Sequence, residues 1–261
     1  MLDAIVPIPA FFDNYIWAFT DQNKQLATVV DPGDAQPVLD FLRNNNLQLS
    51  HILITHHHAD HTGGVNELLQ LFDAHVIGPA SSPFDGIKHR VRQDDNIEVY
   101  GDSFKVIEVP GHTLDHIAYY SEPESLMPVL FCGDTLFAAG CGRVFEGTAV
   151  QMHTSLSKLA ALPEATRVYC THEYTLANLA FAAAVEPSNP TLQIRTAADK
   201  KTRDEGLPTL PSTIKLELAT NPFLRCCEPA VISALKTHGE VPLARADEAF
   251  AALRKWKDGF K

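Results

Sequence analysis

The sequence predicts an α/β (α+β) protein: two β-sheets packed face to face and flanked by helices, followed by a smaller all-helical domain. Three observations carry this expectation. Short β-branched and aromatic runs recur through the first 170 residues, which is the pattern of strands. Helical periodicity appears between these runs, where helices can cover the outer sheet faces. Beyond His172 the strand-like alternation stops and alanine-rich, helix-periodic segments take over.

The expected strands are residues 4–8, 15–19, 26–30, 51–54, 104–109, 116–120, 129–131 and 168–170. The tight connection Asp21-Gln22-Asn23-Lys24 suggests a meander at the start. Three helices are expected among them: 34–44, with Pro37 in its first turn; 64–72; and 150–162, where Met152, Leu156, Leu159 and Ala160 share one face. In the last third, 176–185, 212–219, 229–237 and 246–256 read as helices, separated by turn chemistry at 186–190 and 206–211. These features place one domain at 1–174 and a second at 175–261.

With 45% hydrophobic residues the chain can bury a substantial core, yet no run approaches the roughly 20 apolar residues of a membrane helix. Asp3 and two prolines stand near the N-terminus where a secretory leader would need a basic and then an apolar stretch, so a cytoplasmic protein is expected. The five cysteines are odd in number and lack CxxC spacing, which indicates reduced thiols. In the adjacent pair Cys226-Cys227, one buried and one exposed helix position is expected. A net charge of −11 argues against a nucleic-acid partner. That charge is uneven: residues 1–175 carry 9 Lys and Arg against 22 Asp and Glu, whereas 176–261 carry 12 against 10. The C-terminal part can therefore receive an anion.

The densest chemistry is Thr55-His56-His57-His58-Ala59-Asp60-His61, directly after Ile52-Leu53-Ile54. At a strand end side chains two apart point the same way, so His56 and His58 can face one centre while Asp60 and His61 turn toward another. Imidazole mixed with carboxylate favours borderline divalent metals over calcium or copper. Three more candidate ligands follow strand-like runs: His112 in Pro110-Gly111-His112-Thr113, Asp134 in Cys132-Gly133-Asp134-Thr135, and His172 in Cys170-Thr171-His172-Glu173.

The succession HxHxDH, GHT, CGD and a final His resembles the metallo-β-lactamase superfamily over roughly residues 1–175. That resemblance implies a four-layer αββα sandwich with two divalent metal ions at one sheet edge. His56, His58 and His112 would hold the first, Asp60, His61 and His172 the second, and Asp134 would bridge. Zn²⁺ is the first expectation, and Fe²⁺ and Mn²⁺ suit the same ligands. The other histidines, His51, His57, His75, His89, His116, His153 and His238, are expected to be structural. His57 should point away from its neighbours, and His116 should orient its loop by a hydrogen bond. The family usually has glycine where Asp115 stands.

Two divalent cations about 3.5–4 Å apart can share a water, lower its pKa and hold the resulting hydroxide in line with a polarised carbonyl. Asp60 and Asp134 would orient that bridging hydroxide. No rival nucleophile signal is present: there is no GxSxG elbow, no P-loop, and no GxGxxG after a strand.

Gly140-Cys141-Gly142-Arg143-Val144-Phe145-Glu146-Gly147-Thr148 resembles the glyoxalase II (hydroxyacylglutathione hydrolase) pattern GCG(K/R)xxEGT, and His172-Glu173-Tyr174-Thr175 resembles its HEYT. With Phe12-Asp13-Asn14-Tyr15 and Asn221-Pro222-Phe223-Leu224-Arg225, the resemblance covers essentially the whole chain. It implies hydrolysis of S-(2-hydroxyacyl)glutathione, above all S-D-lactoylglutathione, to glutathione and D-lactate in methylglyoxal detoxification. It assigns the glutathione contacts to Arg143, the Phe145 backbone, Tyr174, Arg254 and Lys257. Glutathione carries two carboxylates, for which three cations are charge-assisted donors, and Arg254 and Lys257 share a helix face. Arg225 and Asn221 are expected to be structural, the arginine pairing locally. A monomer is expected. The alternatives are a mono-iron persulfide dioxygenase, which does not use the second site in the same way, a nuclease of the same superfamily, which the acidity disfavours, and a non-enzymatic metal-binding module.

Overall fold

The computed structural model describes residues 4–239 and 245–260. The first sheet is built from β1 (Val6–Ala10), β2 (Asn14–Thr20), β3 (Leu26–Val30), β4 (Gln48–Leu53), β5 (His75–Pro79) and β6 (His89–Val91), hydrogen-bonded in that order. The first three strands form an antiparallel meander, and the last three run parallel to β3. The parallel connections need crossover helices: α1 (Ala35–Asn45) before β4, and α2 (Ala59–Thr62) with α3 (Val65–Leu71) before β5. Asp34 caps α1 by accepting the Gln36 amide, and Asn46 ends it in the left-handed region at φ 55°.

The second sheet follows: β7 (Asn96–Val99), β8 (Asp102–Glu108), β9 (Ile117–Ser121) and β10 (Val129–Gly133) pair antiparallel in sequence. A small ribbon of β11 (Leu136–Phe137) and β12 (Gly140–Cys141) and the helix α4 (Ala149–Ala160) precede β13 (Arg167–Cys170), which lies parallel to β10. The C-terminal part contributes α5 (Thr175–Val185), α6 (Pro190–Asp204), the two-residue strand β14 (Ser212–Thr213), α7 (Ile214–Thr220), α8 (Pro229–Thr237) and α9 (Ala246–Gly259). It is helical except for β14, which pairs with β13 at the edge of the second sheet.

Side-chain alternation fixes the layers. Along β2 every second residue, Tyr15, Trp17 and Phe19, enters the cluster between the sheets, while Ile16 and Ala18 join the cluster under α1 and α3. Phe19 stacks on Phe104 at 5.9 Å and on Phe131 at 5.7 Å, and Trp17 meets Tyr169 edge-on at 4.9 Å. Met152, Leu156 and Leu159 bring α4 onto the second sheet. The order helix, sheet, sheet, helix is thus the four-layer sandwich expected from the sequence.

Several elements differ from expectation. β1 begins two residues later than the apolar run suggested, and β5, β6 and β7 stand where no strand was expected. Helix α6 stands where no helix is expected: it buries little beyond Leu192 and Arg195, although Asn189 caps it and Pro190 opens it. Segment 212–219 divides into β14 and α7. Cys226 is buried and Cys227 exposed, but both lie in a turn after α7. Arg225 pairs with the distant Glu186 at 2.8 and 3.0 Å, not locally.

One buried charge network binds the last helices to the sandwich. Arg195 donates to Glu217 at 2.8 Å, Thr220 at 2.6 Å, Ser212 at 3.3 Å and Asp199 at 3.2 Å. The other Glu217 oxygen accepts the Ala139 amide at 2.8 Å and the Asn221 side chain at 2.9 Å. Removing one member leaves its partner charged and dry, so Arg195→Ala should cost about 3–5 kcal/mol of unfolding free energy. Urea denaturation measures this directly, and a loss below about 1 kcal/mol would mean that water replaces the guanidinium.

Candidate active site

Four loops converge where β4, β10 and β13 end. Residues 55–61 follow β4, Asp134 follows β10, His172 follows β13, and the 109–116 loop leads from β8 into β9. Backbone bonds between the sheets hold these ends together: Ile117 N donates to Thr55 O at 2.9 Å and Tyr15 N to Thr171 O at 2.6 Å, while Trp17 Nε1 donates to Cys170 O at 2.9 Å. The chain turns into Asp134 through Gly133 at φ +47°, where a Cβ would lie 2.4 Å from Thr55 Oγ1. Gly142 crosses Asp134 so closely that a Cβ would sit 1.9 Å from its carbonyl oxygen.

The seven sequence-predicted ligands come together. His56, His58 and His112 present ligand atoms within 4.8 Å of one another, and so do Asp60, His61 and His172. His112 Nε2 lies 3.1 Å from His58 Nδ1. Asp134 stands between the groups, with one oxygen 3.4 Å from both His112 Nε2 and His172 Nε2 and the other 3.4 Å from His61 Nε2. Asp60 Oδ2 is 3.5 Å from His172 Nε2 and 3.7 Å from His61 Nε2. His56 Nε2, His61 Nε2 and Asp134 Oδ1 are buried without a hydrogen-bond partner. Buried polar atoms are rarely left so, and this convergence of imidazole and carboxylate lone pairs fits a divalent metal pair.

Four of the five rings are aimed by their other nitrogen. His61 Nδ1 lies 3.0 Å from Asp31 Oδ2, His172 Nδ1 2.9 Å from Asp13 Oδ1, His112 Nδ1 2.8 Å from Arg143 O and His56 Nδ1 3.1 Å from Thr55 Oγ1. Asp31 also accepts from the Thr55 amide and hydroxyl, both at 2.7 Å. Sequence reading missed Asp31 altogether and met Asp13 only inside a motif. Their one sequence signal is position, each following or preceding a strand of the first sheet.

The charges differ across the site. Burial, aided by the nearby His61 and His116, pushes His56 well below the usual histidine range, and burial likewise lowers His58 and His112. For His172 burial acts the same way but is outweighed by Asp134 and Asp60, which raise it to about 10. Asp134 and Asp31 similarly override burial at His61 and hold it well above normal.

The remaining predicted residues fall as follows. His57 turns away from its neighbours to Asp115 Oδ1 at 2.9 Å, and its Nε2 lies 3.4 Å from Glu146. His116 supports Asp134 by accepting its amide at 3.1 Å. Asn221 donates to Gly140 O at 2.8 Å and Phe137 O at 3.2 Å, a structural use.

A cleft of about 540 Å³ is lined by five of the seven ligands and by Arg143, Phe145, Tyr174, Arg254 and Lys257 together. Tyr174 stacks on His172 at 4.6 Å, and burial, with Asp13, Asp134 and Asp60 nearby, raises its hydroxyl to about 12. The Phe145 amide donates to His112 O at 3.2 Å, and the residue is 62% exposed. Lys257 donates to Ala177 O at 3.0 Å; burial and the cations Arg254 and Arg143 lower its pKa. A larger groove of about 890 Å³ lies near Arg225 and Trp256, but its Arg225 is already paired with Glu186.

The metallo-beta-lactamase superfamily profile matches residues 14–172, and the hydroxyacylglutathione hydrolase C-terminus profile matches residues 173–260. A hydroxyacylglutathione hydrolase of Ectopseudomonas mendocina (strain ymp) is 56% identical over 97% of this chain and 98% of its own length. Another, of Alkalilimnicola ehrlichii, is 55% identical over 97% and 98%. Among solved structures, ETHE1 from Myxococcus xanthus superposes with a TM-score of 0.64 over 97% of this chain and 98% of its own, at 24% identity, which speaks to the fold alone. With the αββα layers, the two ligand groups and these matches over nearly its whole length, the chain belongs to the hydroxyacylglutathione hydrolase family of the metallo-β-lactamase superfamily.

Proposed function

We propose that this chain hydrolyses S-(2-hydroxyacyl)glutathione, with S-D-lactoylglutathione as substrate and glutathione and D-lactate as products. The observation that carries this reading is the union in one cleft of the two ligand groups with Arg143, Arg254 and Lys257. A thioester with an anionic tail needs both halves. The curated relatives that match over nearly the full chain carry the name of this activity.

A bound divalent pair, with Zn²⁺ favoured and Fe²⁺ or Mn²⁺ also suited, activates water and polarises a carbonyl oxygen. His56, His58 and His112 would hold one ion and Asp60, His61 and His172 the other, with Asp134 reaching both. His116 accepts the Asp134 amide and so holds the backbone from which the carboxylate reaches His112, His172 and His61. Asp60, held by Asn14 at 3.3 Å and partly exposed, orients the attacking water. The leaving thiolate is a good one, so no protein acid is required. Residues 175–261 supply Arg254, Lys257 and the Tyr174-flanking helix α5, while residues 1–174 supply every ligand. One chain thus completes the cleft, which supports a monomeric enzyme. Five free cysteines suit the reducing cytoplasm, where glutathione is also plentiful.

Purified protein should turn over S-D-lactoylglutathione, lose that activity on chelation, and regain it with Zn²⁺, Fe²⁺ or Mn²⁺. Absence of turnover by protein carrying two metals would sink the substrate assignment. Oxygen-dependent consumption of a glutathione persulfide, without hydrolysis, would favour the dioxygenase alternative instead.

Asp31→Ala releases His61 from its carboxylate, and metal affinity should fall about 10–100-fold in chelator competition. Retention of full affinity would show that packing alone aims the ring.

Arg143 is exposed, with its Nε 4.0 Å from Asp258 Oδ1. Arg143→Ala should raise KM about 5–20-fold and leave kcat within about twofold, as expected for a contact made equally in ground and transition states. An unchanged KM in steady-state kinetics would remove Arg143 from the substrate contacts.

A further inference from the structure

Arg254 is a cation the substrate carboxylate should reach, yet its guanidinium is already engaged. Its Nη1 donates to Cys141 O at 3.0 Å, and Nε and Nη2 both donate to Asp258 Oδ1, at 3.1 and 2.8 Å. The same carboxylate oxygen lies 4.0 Å from Arg143 Nε. Asp258 therefore sits against two of the three cations that line this end of the cleft, and it lines the cleft itself.

Two observations indicate that Arg254 does not need Asp258 to hold its position. Its side chain is only 9% exposed, fixed by Cys141 O and lying 5.1 Å over the Phe223 ring, whereas the Asp258 side chain is 47% exposed. The buried member is anchored from the protein side, and the accessible carboxylate covers the Nε–Nη2 edge. With Nη1 held by Cys141 O, that edge is the one left to bind a carboxylate bidentately.

We propose that Asp258 is a resident competitor for this corner, a carboxylate that the glutathionyl carboxylate of the substrate must displace, so that it sets substrate and product affinity. The inference rests on the function proposed above and goes beyond it by naming a residue that weakens binding. The chemistry gives a reason for such a residue. The glutathionyl moiety is common to substrate and released thiol, so affinity gained there stabilises substrate, transition state and product alike. It cannot accelerate the chemical step, and in excess it retards product release. An internal carboxylate limits that uniform binding while leaving the cations in place.

The opposite role, in which Asp258 prepares Arg254 for the substrate, predicts the opposite sign, so one variant separates them. In Asp258→Asn the side-chain oxygen can still accept from Arg254, which protects the helix, but the negative charge is gone. KM for S-D-lactoylglutathione and Kd for glutathione, read by calorimetric titration, should both fall about 3–10-fold, with kcat unchanged or lower. Asp258→Ala should shift both constants in the same direction. With S-D-lactoyl-N-acetylcysteamine, which has no carboxylate, the KM of the wild type and of Asp258→Asn should agree. A KM that stays the same or rises in Asp258→Asn, while the wild type turns over the glutathione thioester, would overturn this inference alone. A wild type that neither hydrolyses that thioester nor binds glutathione would overturn the proposed function and this inference together.

Discussion

The structure depends on an electrostatic conflict confined to one sheet edge. Five imidazoles and two carboxylates meet there at 3.1–3.7 Å, with three of their atoms buried and lacking hydrogen bonds. Leaving such atoms unpaired is costly, and several protonated rings in so small a volume would repel one another. Only the surrounding structure keeps them together. Asp31, Asp13, Thr55 and the Arg143 carbonyl each hold the far nitrogen of one ring, so the near nitrogens cannot turn away. Glycines at 133 and 142 allow the backbones to approach closely enough for Asp134 to lie between the two groups.

The layered core exists in large part to hold that edge. The Phe19, Phe104 and Phe131 stack and the Trp17–Tyr169 contact lock the two sheets at a fixed spacing. Trp17 also reaches through the core to the Cys170 carbonyl, two residues before His172. A shift between sheets would separate His56 and His58, which follow a strand of the first sheet, from Asp134 and His172, which follow strands of the second. Core packing and site geometry are therefore one constraint, because close-packed interiors transmit strain instead of absorbing it.

What the sequence made legible follows from range. The ligand motifs were readable because each lies in a segment that directly follows an apolar strand, and β2 and β3 were readable because both faces of the first sheet are buried. β5 was obscured by His75, Gly78 and Pro79, and β6 by its three-residue length and two exposed members. α6 lacked an apolar stripe, since one of its two buried groups is the charged Arg195, three of whose four partners lie 17 to 25 residues on. Asp31 and Asp13 stand 30 and 159 residues from the histidines they hold, and no local pattern reveals such pairs.

The cationic end of the cleft shows the same limit. The spacing of Arg254 and Asp258 marks an i,i+4 pair, but spacing cannot say that the arginine is buried or that its third donor ends on Cys141 in β12, 113 residues away. That long-range bond changes what the pair means. An exposed i,i+4 pair is a minor helix contact, whereas here the helix is clamped to the β12 ribbon through a charge that also lines the cleft. Glu217 and Asn221 hold the same ribbon from α7 and its C-terminus, at Ala139 and Gly140. The helical part thus does more than add cations beside a finished metal site. It grips the segment that crosses over Asp134, so the position of the anion corner and the position of the ligand between the two groups are set by the same few residues.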